Sequence, residues 1–268
     1  MVIPQYYENP HILHVNTMPN RAYFIPDARR NDALVEHRET SQRFQLLDGT
    51  WQFRYYHSIY DLQDPFYAPG CDLADYDTIP VPSVWQNYGY DHHQYTNIRY
   101  PFPADPPYVP KENPCGAYLY DFDYQQDEVA PRAYLDFEGV ASCFYVWLNG
   151  KFVGYSQVAH STSEFDVTAL LQNGSNHLAV LVLKWCDGSY MNFPDANTIR
   201  DGFAGRFQHK GIKIRLFGIP QNRGRDRNNR AVGKGFIIGV RCRSSSADQG
   251  TGRIVNGNAG GDGQIAVA

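Results

Sequence analysis

Asp91-His92-His93 is the densest run of metal-ligating side chains in this 268-residue chain. A bound transition metal needs such donors at spaced positions, and no spaced His or Cys partner accompanies the triplet, so it reads as solvated loop. The five cysteines (Cys71, Cys115, Cys143, Cys186, Cys242) form no CxxC pair and are odd in number. Free buried thiols in a reducing compartment are the expectation. "GKGFIIG" has Ile238 where a dinucleotide fingerprint requires Gly, and no βαβ unit surrounds it. "GNAGGDGQI" resembles a calcium-roll repeat but occurs once, whereas such rolls need several. "NRGRDRNNR", with Arg215 nearby, offers phosphate-binding chemistry of the kind RNA-binding arms use. Those arms add aromatics for stacking, and Phe236 is the only aromatic after Phe217, which argues against nucleic acid.

The elements around these residues read as strands and turns. In "CFYVWLNGKFVGYS" alternating residues bracket Asn149-Gly150, a strong hairpin signal. Phe144, Val146 and Leu148 belong on one face, Tyr145 and Trp147 on the other. "HLAVLVLKW" is apolar throughout, so both its faces should be covered. "LDGTWQFRYY" reads as a strand after an Asp-Gly turn. Prolines crowd the stretch from Ile79 to Pro114, which reads as a long ordered loop. "SEFDVTALLQNG" offers one helical turn, with Ser163 as N-cap and Gly174 past its end. Apolar residues at 43% and charged residues at 19% suit a globular chain, and 15% aromatics suit pleated surfaces and flat, sugar-like ligands. The expected fold is an all-β sandwich of jelly-roll type.

The net charge of −4 hides a division. Residues 1–191 hold 11 Lys+Arg against 23 Asp+Glu; residues 192–268 hold 13 against 5, with 14 of the 23 Gly and no Tyr or Trp. The change marks a boundary near Met191. Three segments follow: an extended arm (1–47), the sandwich (48–191), and an irregular Gly/Arg-rich tail (192–268). The opening "MVIPQYYENP" has no basic segment followed by an apolar run, and no stretch approaches a membrane span. A cytoplasmic location is expected.

Five blocks in order, "IPVPSVWQNYGYD", "YTNIRYPFPADPPYVPKENPCGAY", "LDFEGVASCFYVWLNGKFVGYSQ", "SEFDVTALL" and "LVLKWCDGSY", resemble the amino-terminal sugar-binding domain of the large bacterial β-galactosidases of glycoside hydrolase family 2. The likeness runs through residues 1–191, with a looser match in "ENPHILHVN" and "LDGTWQF". It implies an arm followed by a jelly-roll sandwich, β-galactosides such as lactose as substrate, and sodium and magnesium as cofactors of the intact enzyme. It also implies two site residues. Asn97 in "YTNIRYP" matches an Asn that reaches the galactose subsite, and Asp187 in "WCDGSY" matches an Asp that binds a galactose hydroxyl and helps ligate sodium. The residue types suit those roles: an amide and a carboxylate together hold a hydroxyl that both donates and accepts, and a hard cation takes oxygen ligands. Read without the family, Asn97 is a loop turn residue and Asp187-Gly188 a hairpin turn.

The resemblance stops where the family continues to "SGIFR" and its catalytic barrel. Retaining glycosidases hold two carboxyl groups about 5 Å apart. The family's acid/base Glu follows an Asn, and no Asn-Glu dipeptide occurs among the seven Glu here (8, 36, 39, 112, 128, 138, 164). No catalytic residue is therefore assigned. One expectation is a truncated β-galactosidase product, its tail read in a shifted frame; the other is a non-catalytic carbohydrate-binding or complementing subunit that docks on a separate barrel chain or other β-galactosidase subunits. The shifted frame is favoured over a functional tail. The lost closing strand would expose an unpaired edge beside "HLAVLVLKW", against which "GIKIRLFGI" could pair.

Overall fold

The computed structural model describes residues 3–32, 37–93, 101–159, 161–192 and 213–219. All belong to one compact unit, Met1–Arg223; a second, Gly224–Ala268, lies outside the described residues, as do Asn97 and the Arg run at 222–230. Eleven strands are described: β1 (His14–Val15), β2 (Phe44–Leu46), β3 (Gly49–Tyr56), β4 (Asp77–Val81), β5 (Cys115–Tyr124), β6 (Arg132–Gly139), β7 (Cys143–Leu148), β8 (Lys151–Ser156), β9 (Ser163–Asp166), β10 (Gly174–Leu183) and β11 (Lys213–Ile219). They form a β-sandwich of a seven-stranded sheet, β1-β8-β7-β10-β5-β3-β4, and a four-stranded sheet, β2-β11-β6-β9.

The alternation read in β7 and β10 is the alternation of the core. Phe144, Val146 and Leu148, with Leu178, Val180 and Val182, face the second sheet and meet Leu135, Phe137 and Phe165. Tyr145, Trp147, Ala179, Leu181 and Leu183 face the other way, under the arm's Ile3 and Tyr7 and the loop residues Ile59 and Phe66. The seven-stranded sheet is thus covered on both faces, and Trp51, Phe144, Trp147, Leu181 and Leu183 are all buried as expected. The β7–β8 turn places Asn149 at φ 52° and Gly150 at φ 76°. Asn149 tolerates that left-handed conformation because its amide donates to Leu170 O (2.9 Å) and its carbonyl accepts from His177 N–H (2.9 Å).

Three expectations need correction. Ser163 caps no helix: Ser163–Asp166 is β9, paired with β6, and the single turn after it is started by Asp166, whose Oδ1 accepts from Thr168 N–H at 3.1 Å. The partner strand outweighs local helix propensity here. Ile79-Pro80-Val81 is not loop but the end of β4, an edge strand, where a residue without an N–H costs no ladder bond. β10 has no open edge, since β5 flanks it over ten residue pairs and β7 over six. Lys213–Ile219, within "GIKIRLFGI", forms β11, and it pairs between β2 and β6 in the other sheet rather than beside β10.

The arm's described residues are tied to the seven-stranded sheet at two points. Tyr145 Oη donates to Pro4 O (2.7 Å), and His14–Val15 extends the seven-stranded sheet beside β8. Gly154 permits that approach, because a Cβ there would lie 2.4 Å from Val15 O.

Candidate functional site

The chain leaves β10 through Lys184, Trp185 and Cys186 and enters a 3₁₀ turn, Asp187–Asn192. Asn113, fully buried, grips this exit: its Nδ2 donates to Trp185 O (2.9 Å) and its Oδ1 accepts from Trp185 N–H (3.0 Å). Ser189 closes the turn on Cys186 with two further bonds. Tyr190 Oη donates to Tyr108 O (2.5 Å) and accepts from Asp105 N–H (3.2 Å), which ties the turn to the proline-rich loop. Lys184 Nζ donates to Asp91 Oδ2, and both side chains are at least nine-tenths buried. Burial opposes the charge on Asp91, but the Lys184 ammonium and the His92 N–H hold its carboxyl below the usual range.

These contacts frame a cleft of about 1030 Å³ lined by Tyr55, Tyr90, Asp91, Phe102, Lys184 and Trp185 among others. Asp91, His92, Pro101 and Phe102, which flank residues 94–100, all line it. The described residues on both sides of 94–100 thus border the cleft, and Asn97 itself lies outside the described residues. Of the cleft's acids, Asp91 is held by Lys184, and Asp61 accepts from Ser58 N–H at 3.0 Å.

Asp187 does not line that cleft; it lies against the arm. Its Oδ1 accepts from Gly188 N–H (3.0 Å), and Gln157 lies alongside, its Oε1 3.2 Å from where a Cβ on Gly188 would stand and its Nε2 donating to Ile12 O (3.1 Å). Burial raises the Asp187 pKa, and the nearby Glu8 charge adds to it. Gln157 Oε1 is buried with no hydrogen-bond partner. A carboxylate, a main-chain carbonyl and an orphaned amide oxygen thus converge in one corner, a donor set that suits a hard cation. Among the described residues no three His, Cys, Asp or Glu gather for a metal, so carbonyl and amide oxygens would have to complete the set.

The structure sets Asp187 apart from the cleft, while Asn97 lies outside the described residues. It adds Glu8, Ile12 and Gln157 around Asp187, and Asn113 and Lys184 around Asp91. No local signal marks these residues, since their partners lie far away in the sequence. Cys115, Cys143 and Cys186 are buried free thiols and Cys71 is half-buried; Cys242 is outside the described residues. Among the described residues no helix is long and apolar enough to cross a membrane.

A family model described as glycosyl hydrolases family 2, sugar binding domain, matches residues 44–209. The chain belongs to glycoside hydrolase family 2. The match covers the sandwich, so the family 2 sugar-binding domain is what β2 to β10 build. A β-galactosidase of Actinobacillus pleuropneumoniae is 52% identical over 195 residues, which are 73% of this chain and 19% of that protein. One of Staphylococcus xylosus is 41% identical over 213 residues, 79% of this chain and 20% of that protein. The chain spans about a fifth of the length of these family 2 relatives. Among solved structures, a Ruminococcus gnavus β-glucuronidase is similar with a TM-score of 0.48 at 14% identity, over 68% of this chain and 30% of that one.

Proposed function

We propose that the chain supplies the amino-terminal sugar-binding unit of a β-galactosidase and contributes one wall of a galactose subsite to a catalytic barrel on another polypeptide. The observation that supports this reading is the aromatic cleft bordered by the residues on both sides of 94–100 and braced by the Lys184–Asp91 pair. Aromatic faces with a few fixed polar groups suit a sugar. In this reading Asn97 contacts the sugar. Asp187, turned to the arm, serves the cation role: its carboxylate, Ile12 O and the Gln157 amide would hold sodium or magnesium and pin the arm to the 3₁₀ turn. The bound ion supplies charge neutralisation there, and the residues themselves set the turn. Direct contact of Asp187 with a galactose hydroxyl is not part of this reading, because the cleft lining ends at Trp185 along this segment.

Alone, the chain should not turn over a chromogenic β-galactoside, because no Glu in it follows an Asn and a double displacement needs two positioned carboxyls. Mixing it with a chain that carries the barrel but lacks this unit should restore lactose hydrolysis. If the mixture stays inactive while the chain binds galactose by itself, the free carbohydrate-binding module replaces this proposal.

A further inference from the structure

The outer face of the four-stranded sheet carries a carboxylate that the fold leaves unpaired. Along β6, Ala133, Leu135 and Phe137 enter the sandwich core, and Tyr134, Asp136 and Glu138 face the other way. The arm crosses that face. Met18 N–H donates to Glu164 O (2.7 Å), Arg21 forks onto both oxygens of Glu164, and Arg38 reaches Glu138 at 3.2 Å. Met18 and Ile25 pack on Phe44 and Tyr134.

Beneath the arm, Asp136 is 2% exposed, and its Oδ1 is buried without a hydrogen-bond partner. It borders a cavity of about 220 Å³ whose other walls include Asn20, Arg21, Ser161, Thr162 and Glu164. Arg21 neutralises Glu164, and Arg38 neutralises Glu138. The charge of Asp136 is the one left over in this group. In the backbone register Arg215 of β11 stands opposite Asp136.

A buried carboxylate lacking donors is costly, and a polar cavity of this size has room for several waters. We propose that the cavity is a site for a hard, hydrated cation of the magnesium type, with Asp136 as its carboxylate and the hydroxyls of Ser161 and Thr162 beside it. One carboxylate with few further protein donors matches an ion that keeps most of its own water, as Mg²⁺ does. A neutral sugar would find the hydroxyls but would leave the charge uncompensated. Bound there, the ion would fasten the arm to the second sheet. This inference does not depend on the reading of Asp187.

The test uses the full chain carrying Asp187→Asn, which silences the other cation corner. Calorimetric titration with MgCl₂ alone, in choline chloride buffer, should show one site at pH 8. The affinity should fall about 10-fold per pH unit below the Asp136 pKa of about 7, because a proton competes with the ion. Asp136→Asn should weaken binding at least about 10-fold with the circular dichroism spectrum retained. Absence of Mg²⁺ binding in the parent chain would overturn the proposal. So would an isotherm unchanged by Asp136→Asn, or galactose binding that Asp136→Asn abolishes while Mg²⁺ binding persists.

Discussion

Replacing Asp136 by Asn should stabilise the chain at alkaline pH and leave it level with the parent at acid pH. Burial raises the Asp136 carboxyl from 3.8 to about 7, with the Glu164 charge adding to the shift and Arg21 and Arg38 opposing it. In the unfolded chain the same group ionises near 3.9. Between those two values the folded state keeps a proton that the unfolded state has already released. Each pH unit in that window therefore costs the fold about 1.4 kcal/mol. The penalty is absent below about pH 4, reaches about 4 kcal/mol near pH 7, and stays constant above it. Asn has nearly the same shape and no proton to lose, so Asp136→Asn removes the penalty; its amide hydrogens can meet water in the adjoining cavity. Urea unfolding followed by tryptophan fluorescence, with Trp51 and Trp147 buried in the two core layers, reads the difference. With a slope of about 2–3 kcal/mol per molar urea, the variant's midpoint should lie about 1.5–2 M above the parent at pH 8 and coincide with it at pH 4. Chelator and choline buffer keep cations out of the comparison. Parallel midpoints across the pH range, or a less stable variant at pH 8, would refute the reasoning.

Three further outcomes follow from the geometry. Asn149→Ala should cost about 3–4 kcal/mol in urea unfolding, since it removes the side-chain bonds to Leu170, Asn176 and His177 and leaves Ala at φ 52°; Asn149→Gly should recover about 1 kcal/mol of that. Gly154→Ala would push its methyl to 2.4 Å from Val15 O and 2.5 Å from the Phe165 ring, so β1 should detach and trypsin should cut faster at Arg21, Arg29 and Arg30; unchanged digestion would count against the close approach. Galactose should bind the isolated chain more weakly than millimolar, because two or three hydrogen bonds of about 1 kcal/mol each do not offset an association cost of several kcal/mol; a tight isotherm that Asp187→Ala abolishes would contradict this.

The strands were legible where one physical rule decided them, and illegible where two rules competed. β10 announced its burial because no face of "HLAVLVLKW" could meet water, and the β7–β8 hairpin announced itself through Asn149-Gly150. Ser163 met the local rule for a helix cap, but β6 offered Ser163–Asp166 a ladder, and long-range pairing won. Pro80 met the local rule against strands, but at a sheet edge that rule has no force. The site follows the same logic. Asp187 could be singled out from its own neighbours in the chain, whereas its environment comes from Glu8, Ile12 and Gln157, which are brought in only when the arm docks. Asp136 could not be singled out at all: in "RAYLDFEG" it is one more polar residue on an alternating strand, of the kind usually left to solvent. What makes it unusual is the cover supplied by residues more than a hundred positions earlier, Met18 to Arg21, which cross the strand's polar face and bury a carboxylate beneath them. Docking of the arm therefore creates both cation-suited corners, one at the 3₁₀ turn after β10 and one on the second sheet, from a segment that carries no recognisable chemistry of its own. A deletion of residues 3–26 should abolish magnesium binding at Asp136 and at Asp187 together while leaving the β7–β10 core folded, and retention of either site without the arm would break that link.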